Sequence, residues 1–308
     1  MIIGTRGSAL ALWQAEHVQA QLRRLHPGRS FELKLIRTEG DEVSNVPLAR
    51  FGSRGVFVKE IQAALLAGQV DLAVHSLKDL PSQSDAGLVL AAVGEREDVR
   101  DVLVSRHNRP LAELPRGALI GTSSPRRAAQ IKAFRRDFAT GDLRGNLDTR
   151  LRKAARGDYD GVVLAAAGIH RLGMQDRITE YLPLEVSIPA AGQGVLAVEA
   201  REGDGEIIAL ARGLDCAPVR AAITAERAFM RALGGGCQAP AGVCGDVRQG
   251  VLHVVAAVVG LDGGPVLRAT VAGPEAAAAA LGEALAADLL AQGAAAILEA
   301  ARAALGPP

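Results

Sequence analysis

The chain reads as an α/β protein: two α/β lobes joined by a double crossover, then a small C-terminal α+β domain with an antiparallel sheet and helices on one face. Three observations predict this. Short apolar runs (Ile2-Ile3-Gly4, Asp71-Leu72-Ala73-Val74, Ala118-Leu119-Ile120, Tyr159 to Ala165) alternate with segments of helical period, as in a buried parallel sheet. A charged stretch from Glu95 to Arg100 interrupts the series, which restarts at Asp101-Val102-Leu103-Val104. After Cys237 the pattern changes to a hairpin and two Ala-rich helices. The expected domains are 1–94 with 195–212, then 100–190, then 217–308.

In order, Ile2-Ile3-Gly4 is a first strand, and a helix runs from Ala9 to Leu25 with Leu10, Trp13, His17, Val18 and Leu22 approximating one face. Pro27-Gly28 ends it. Phe31 to Ile36 alternates as a strand. The polar stretch 39–55, carrying Arg50 and Arg54, is long for a loop in a compact domain and reads as a lid. Phe57 to Leu66 is a helix with Ile61, Leu65 and Leu66 inward, and Leu88 to Val93 a strand. In the second lobe Pro125 opens a helix, where its missing N–H costs nothing. Asn146 caps the next one. Residues 168–173 form a short helical turn. The strand Val195 to Ala200 is expected to return to the first lobe, which leaves a cleft between lobes as in periplasmic binding proteins. Asp215 can cap a helix running to Leu233. Val251 to Val259 and Val266 to Val271 form the hairpin, and helices at 275–290 and 294–305 close the chain.

Composition narrows the function. With 308 residues, 49% hydrophobic and 22% charged, the chain has the make-up of a soluble globular protein. The longest apolar runs fall short of a membrane span, and the opening Met1-Ile2-Ile3-Gly4 reads directly into a strand, so a cytoplasmic protein is expected. The net charge of +1 gives no bulk attraction for nucleic acid. Three cysteines without a CxxC, and six scattered histidines, indicate neither a disulfide framework nor a metal site. Of the 35 basic residues only five are Lys. Part of this excess fits codon bias and part fits function, since Arg grips carboxylates in a two-pronged fork that Lys lacks.

The chemistry-bearing residues gather where strands end. His75-Ser76-Leu77-Lys78-Asp79-Leu80-Pro81 follows a strand that Pro81 cannot continue. Ligands bind at such carboxyl edges in open α/β sheets. Asp79 can move protons or stabilise a cation there, and Lys78 can hold an anion; the plain alternative is a locally satisfied ion pair. Arg6 sits at a strand-to-helix turn, near N–H groups that favour anions. Arg126 and Arg127 occupy a first helical turn, where cations are poorly placed, and so point to a compensating anionic ligand. Residues 126–156 hold eight Arg and two Lys against three Asp. Such a run is a solvated face, a nucleic-acid surface or an anion site. Gly234-Gly235-Gly236 before Cys237 exceeds what a helix end requires and lets the thiol project on a loop. On spacing alone a buried structural thiol stays open for Cys237 and is the reading for Cys216 and Cys244.

Six motifs in this order resemble the porphobilinogen deaminase (hydroxymethylbilane synthase) family across essentially the whole chain. They are Thr5-Arg6-Gly7-Ser8-Ala9-Leu10-Ala11-Leu12-Trp13-Gln14, Val74 to Pro81, Gly121-Thr122-Ser123-Ser124-Pro125-Arg126-Arg127, Leu143-Arg144-Gly145-Asn146, Ala190-Ala191-Gly192-Gln193-Gly194 and Gly235-Gly236-Cys237-Gln238. The resemblance implies a monomeric enzyme of tetrapyrrole (haem) biosynthesis, a transferase. It joins four porphobilinogen molecules head to tail with loss of ammonia and releases hydroxymethylbilane by hydrolysis. It also implies a dipyrromethane cofactor fixed by a thioether to Cys237, with Asp79 as the catalytic carboxylate that stabilises a cationic azafulvene. Each substrate ring carries an acetate and a propionate. By family position Arg6, Arg126, Arg127, Arg144, Arg150 and Arg171 receive these carboxylates, supported by Lys78, Ser76, Thr122, Ser124 and Gln14. Phe57 matches an aromatic near the substrate ring, and 42–55 matches a mobile active-site loop. Pro125 departs from a common family Leu, and Arg50 and Arg54 stand where relatives have Lys.

Two other classes compete. A non-catalytic two-lobed carboxylate-binding protein fits the cleft but has no need of Cys237. A nucleic-acid binder using 126–156 predicts strongly salt-dependent binding and leaves Asp79 and Cys237 unexplained.

Overall fold

The computed structural model describes residues 1–38, 58–234, 236 and 238–305. In the first lobe, strands β1 (Ile2–Thr5), β2 (Glu32–Leu35), β3 (Leu72–Ser76) and β4 (Leu88–Arg96) are accompanied by helices α1 (Ala9–Leu25) and α2 (Lys59–Leu66). The second lobe contains β5 (Asp101–Ser105), β6 (Leu119–Gly121), α3 (Pro125–Phe134), β7 (Ala139–Gly141), α4 (Leu147–Arg156), β8 (Gly161–Ala165), α5 (Ala166–Arg171) and β9 (Glu180–Tyr181). The chain then returns as β10 (Val195–Arg201).

The two sheets share one plan. Their orders are β2-β1-β3-β10-β4 and β7-β6-β8-β5-β9. Each has three parallel strands, then an antiparallel strand that has just crossed from the other lobe. The lobes are therefore joined twice, once through 97–100 and once through 182–194. This double crossover matches the expectation, and it brings the carboxyl ends of β1, β3, β6 and β8 toward one cleft.

The third unit follows α6 (Gly205–Ala211) and contains α7 (Ala217–Ala232), β11 (Ala241–Arg248), β12 (Val251–Val259), β13 (Val266–Pro274), α8 (Ala278–Ala291) and α9 (Ala294–Leu305). Its antiparallel sheet runs β11-β12-β13 and packs on α7 and α8 around the fully buried Phe229. Gly282 is needed here: a Cβ would stand 2.1 Å from the Ala225 carbonyl oxygen, so only glycine lets α8 approach α7 this closely.

Several sequence expectations are corrected. The buried face of α1 is Gln14, Ala15, Val18 and Leu22, whereas Trp13 is half-buried and His17 exposed, because α1 packs on α5 of the second lobe as well as on its own sheet. Leu66 is exposed, one residue off the Ile61–Leu65 stripe that a four-residue step defines. Strand β3 stops before Pro81, in a short 3₁₀ turn at Leu77–Asp79. Asp215 does not cap α7; it accepts from the Val93 N–H and pairs with Arg220. Strand β11 was not expected, since Ala241-Gly242-Val243-Cys244-Gly245 is poor in β-branched residues and owes its strand form to pairing with β12.

Candidate active site

A cavity of about 450 Å³ opens between the lobes, within the range that holds small ligands. From the first lobe it is lined by Arg6 after β1, Gln14 on α1, and Ser76, Lys78 and Asp79 at the end of β3. The second lobe supplies Arg127 on α3, Arg144 and Arg150 around the start of α4, and Arg171 on α5. Local sequence sets each of these positions. Asn146 accepts the Thr149 N–H and so fixes the start of α4, next to Arg144 and Arg150. Ser124 likewise accepts the Arg127 N–H. Gln14 donates to the Ser76 hydroxyl at 2.8 Å, tying α1 to the end of β3.

Asp79 is exposed to the cleft while Leu77 beneath it is buried, so the turn presents the carboxylate and anchors itself. Among the described residues, six lining cations face two lining carboxylates, Asp79 and Asp148. Their protonation reflects this surplus. Burial, and then the charge of Arg127, lowers the Lys78 ammonium to about 8 against the pull of Asp79. Burial and Arg127 likewise lower Arg150 to about 10. Burial lowers Arg171 to about 10, opposed by Glu97. Such a site gains from any ligand bearing several carboxylates.

The expectation that Arg126 and Arg127 require an anionic ligand is corrected: Asp101, fully buried at the start of β5, is the anion. Arg126 Nη1 is 2.7 Å from one carboxylate oxygen and Arg127 Nη2 is 2.7 Å from the other. Ser187 and Gln193 also donate to it. Burial alone would raise the Asp101 carboxyl; the charges of Arg126 and Arg127 and their hydrogen bonds overcome this and hold it far below the usual carboxylate range. Arg126, whose Nη1 also donates to the Ile188 carbonyl, does not line the cavity. Thr122 and Ser124 do not line it either. Phe57, the segment 42–55 and Cys237 lie outside the described residues.

Sequence reasoning missed the network that holds this arrangement. Asp101 read only as the start of a strand; an acid opening an apolar run was the available signal. Glu226, also fully buried, pairs with Arg96 at 2.6 Å and accepts the Gly192 and Gly245 N–H groups. Arg96 Nε donates to the Gln193 carbonyl. The turn 192–194 is thus fixed from the third unit on one side and, through the Gln193 side chain, from Asp101 on the other.

Fold and site together define a two-lobed α/β protein with a cation-rich cleft around one loop-borne carboxylate. A family model described as "Porphobilinogen deaminase, dipyromethane cofactor binding domain" matches residues 1–209, and "Porphobilinogen deaminase, C-terminal domain" matches 220–291. The porphobilinogen deaminase of Syntrophotalea carbinolica is 52% identical over 298 residues, covering 97% of this chain and 95% of its own. That of Desulforudis audaxviator is 49% identical over 303 residues, 98% of each chain. That of Synechococcus elongatus is 48% identical over 301 residues, covering 96% and 94%. The chain belongs to the porphobilinogen deaminase family.

Proposed function

We propose that this chain is a porphobilinogen deaminase, a transferase that condenses four porphobilinogen molecules head to tail on a covalently bound dipyrromethane and releases hydroxymethylbilane by hydrolysis. One observation carries the reading beyond family membership. Asp79 faces a cavity in which, among the described residues, lining cations outnumber lining carboxylates six to two; the surplus suits substrates bearing two carboxylates per ring, and Asp79 suits a reaction that passes through a cation.

The donor set fits the cofactor, a small molecule with several carboxylates. Arg127, Arg144 and Arg150 would hold its acetate and propionate groups with Ser76 and Lys78, and Cys237 would anchor it through a thioether. When bound, it supplies the pyrrole carbon to which the first ring is joined. Arg6, Arg171 and Gln14 would receive the incoming ring. Arg126, committed to Asp101, steadies Arg127 and is a supporting residue.

Each addition breaks the C–N bond of the substrate aminomethyl group. The electron pair leaves with nitrogen, which departs as ammonia on protonation, and the remaining methylene-pyrrole is a cation. Asp79 stabilises it electrostatically. Joining the cation to the free α-carbon of an acceptor ring would displace a proton from that carbon, and the Asp79 carboxylate, or water, is placed to take it up. Asn in place of Asp79 keeps the shape and loses the charge.

We take the protein to be a cytoplasmic monomer that acts on a small molecule and requires no metal, nucleic acid or membrane. Sedimentation at the 31.9 kDa mass of one chain checks the first point. The domain limits 1–94 with 195–212, 100–190 and 217–308 belong to the same proposal.

The deciding experiment is intact-mass measurement of the purified protein and of Cys237→Ser. Mass above the bare chain, equal to two linked pyrrole units and absent from the variant, is the expected result. A bare wild-type mass that persists after incubation with porphobilinogen would sink the assignment.

A further inference from the structure

Helix α5 ends on two side chains that leave it in different directions. Arg171 lines the cavity; its Nη2 donates to the Gly194 carbonyl at 2.6 Å. Its guanidinium carbon lies 5.9 Å from the ring centroid of Trp13, on α1 of the other lobe. His170 does not line the cavity. Its Nδ1 is 3.1 Å from Glu97 Oε1, and its Nε2 is 2.7 Å from the Tyr181 hydroxyl. The neutral tautomer that donates from Nδ1 to Glu97 and accepts at Nε2 from Tyr181 satisfies both partners.

The positions of those partners give the pair its meaning. Glu97 stands in the first crossover between lobes, and Tyr181 in β9, just before the second. The crossovers meet where the Glu97 N–H donates to the Gly194 carbonyl at 3.1 Å, the same carbonyl that accepts Arg171. Gly194 has φ +88°, and a Cβ there would stand 2.3 Å from the Glu97 carbonyl oxygen, so the approach requires glycine. Arg100 of the first crossover lies over the Tyr181 ring at 4.4 Å and pairs with Asp98. Helix α5 is thus tied to one crossover through His170 and to the other through Arg171.

We propose that His170 is a positioning residue for Arg171: by clasping α5 to the first crossover through Glu97 and to β9 through Tyr181, it holds the guanidinium against Gly194 and Trp13 and couples its position to the angle between the lobes. The inference rests on the reading of Arg171 as a carboxylate-binding residue. Loss of the clasp weakens carboxylate binding more than it slows the chemistry, since neither His170 nor its partners touch the reacting atoms.

The test is a double-mutant cycle in the holoenzyme: wild type, His170→Leu, Arg171→Ala and the pair, with KM and kcat for porphobilinogen and the melting temperature of each. His170→Leu is expected to raise KM about tenfold with kcat within about twofold. Arg171→Ala raises KM at least as much, and the pair is no worse than Arg171→Ala alone. His170→Asn, whose amide N–H can replace Nδ1–H toward Glu97, recovers most of the loss. The emission of Trp13, the chain's one tryptophan, shifts in His170→Leu and returns in His170→Asn. Effects that multiply in the pair overturn the inference, because His170 then acts independently of Arg171. An unchanged KM in Arg171→Ala instead overturns the site reading beneath it. If His170→Leu does not fold, Tyr181→Phe, which removes one hydroxyl, enters the same cycle with a smaller expected effect.

Discussion

Asp79 and Lys78 are neighbours with different demands on their surroundings. Asp79 reaches solvent in the cleft; Lys78 points among arginines, and burial with Arg127 lowers it to about 8. Asp79→Asn is expected to retain the cofactor mass and lose roughly a hundredfold or more in turnover, as when a group stabilising transition-state charge is removed; a variant with wild-type kcat would refute its role. The Lys78 ammonium attracts carboxylates below about pH 8, so KM for porphobilinogen is expected to rise as pH climbs through that value, and Lys78→Met should flatten the rise. Its effect on folding has the opposite trend. Between about pH 8 and the ordinary value of 10.5 the unfolded chain holds the proton more tightly, so this group's contribution to stability increases with pH. Both residues were legible in the sequence, because a strand, a polar cluster and a proline stood in succession.

At the scale of elements, α3 and α4 show how far local rules reach. Ser124, Pro125 and Asn146 were readable as helix starts, since capping needs only a side chain and the backbone next to it. Asn146→Ala is expected to cost about 1 kcal/mol in thermal unfolding. It should also raise KM, because Gly145 and Asn146 line the cavity beside Arg144 and Arg150. The charge at the start of α3 was misread for a reason of the same kind. The sequence showed two arginines where a helix disfavours cations, but their partner comes from β5, in Asp101. Strand β11 escaped because its strand character comes from eight paired positions on β12 rather than from its own residues.

At the scale of the molecule, two buried carboxylates hold three units in register. Removing Glu226 as Glu226→Ala leaves Arg96 buried without its charge partner and the Gly192 and Gly245 N–H groups without an acceptor, an expected cost of about 3–5 kcal/mol measured by urea unfolding. Since Gly192 lines the cavity, activity should fall at temperatures where the variant is still folded. Asp101 carries the acid dependence. Its carboxyl titrates far below the unfolded value of about 3.9, so its stabilisation is present above that value and disappears as pH falls toward the folded one. Asp101→Asn should therefore lower stability at neutral pH and flatten the decline in acid. Stability equal to wild type at pH 7, with an unchanged acid limb, would exclude this account.

The alternation of strands and helices in the two lobes, the return of the chain to the first lobe and the carboxylate at a strand end were legible in the sequence, whereas β7, β9, β11 and α6 were not. Periodicity, capping and strand termination act over a few residues and leave their marks in order along the chain. Which arginines face the cleft, which pair with Asp101, and that Arg127 does both, was decided only in three dimensions. A guanidinium meets whatever carboxylate the fold brings to it, and Arg126 and Asp101 are brought together by α3 packing over a sheet whose inserted strand enters from the other lobe. The Glu97–His170–Tyr181 clasp has the same origin: three residues from the first crossover, a short helix and β9, unremarkable in sequence, that meet because the chain passes twice between the lobes.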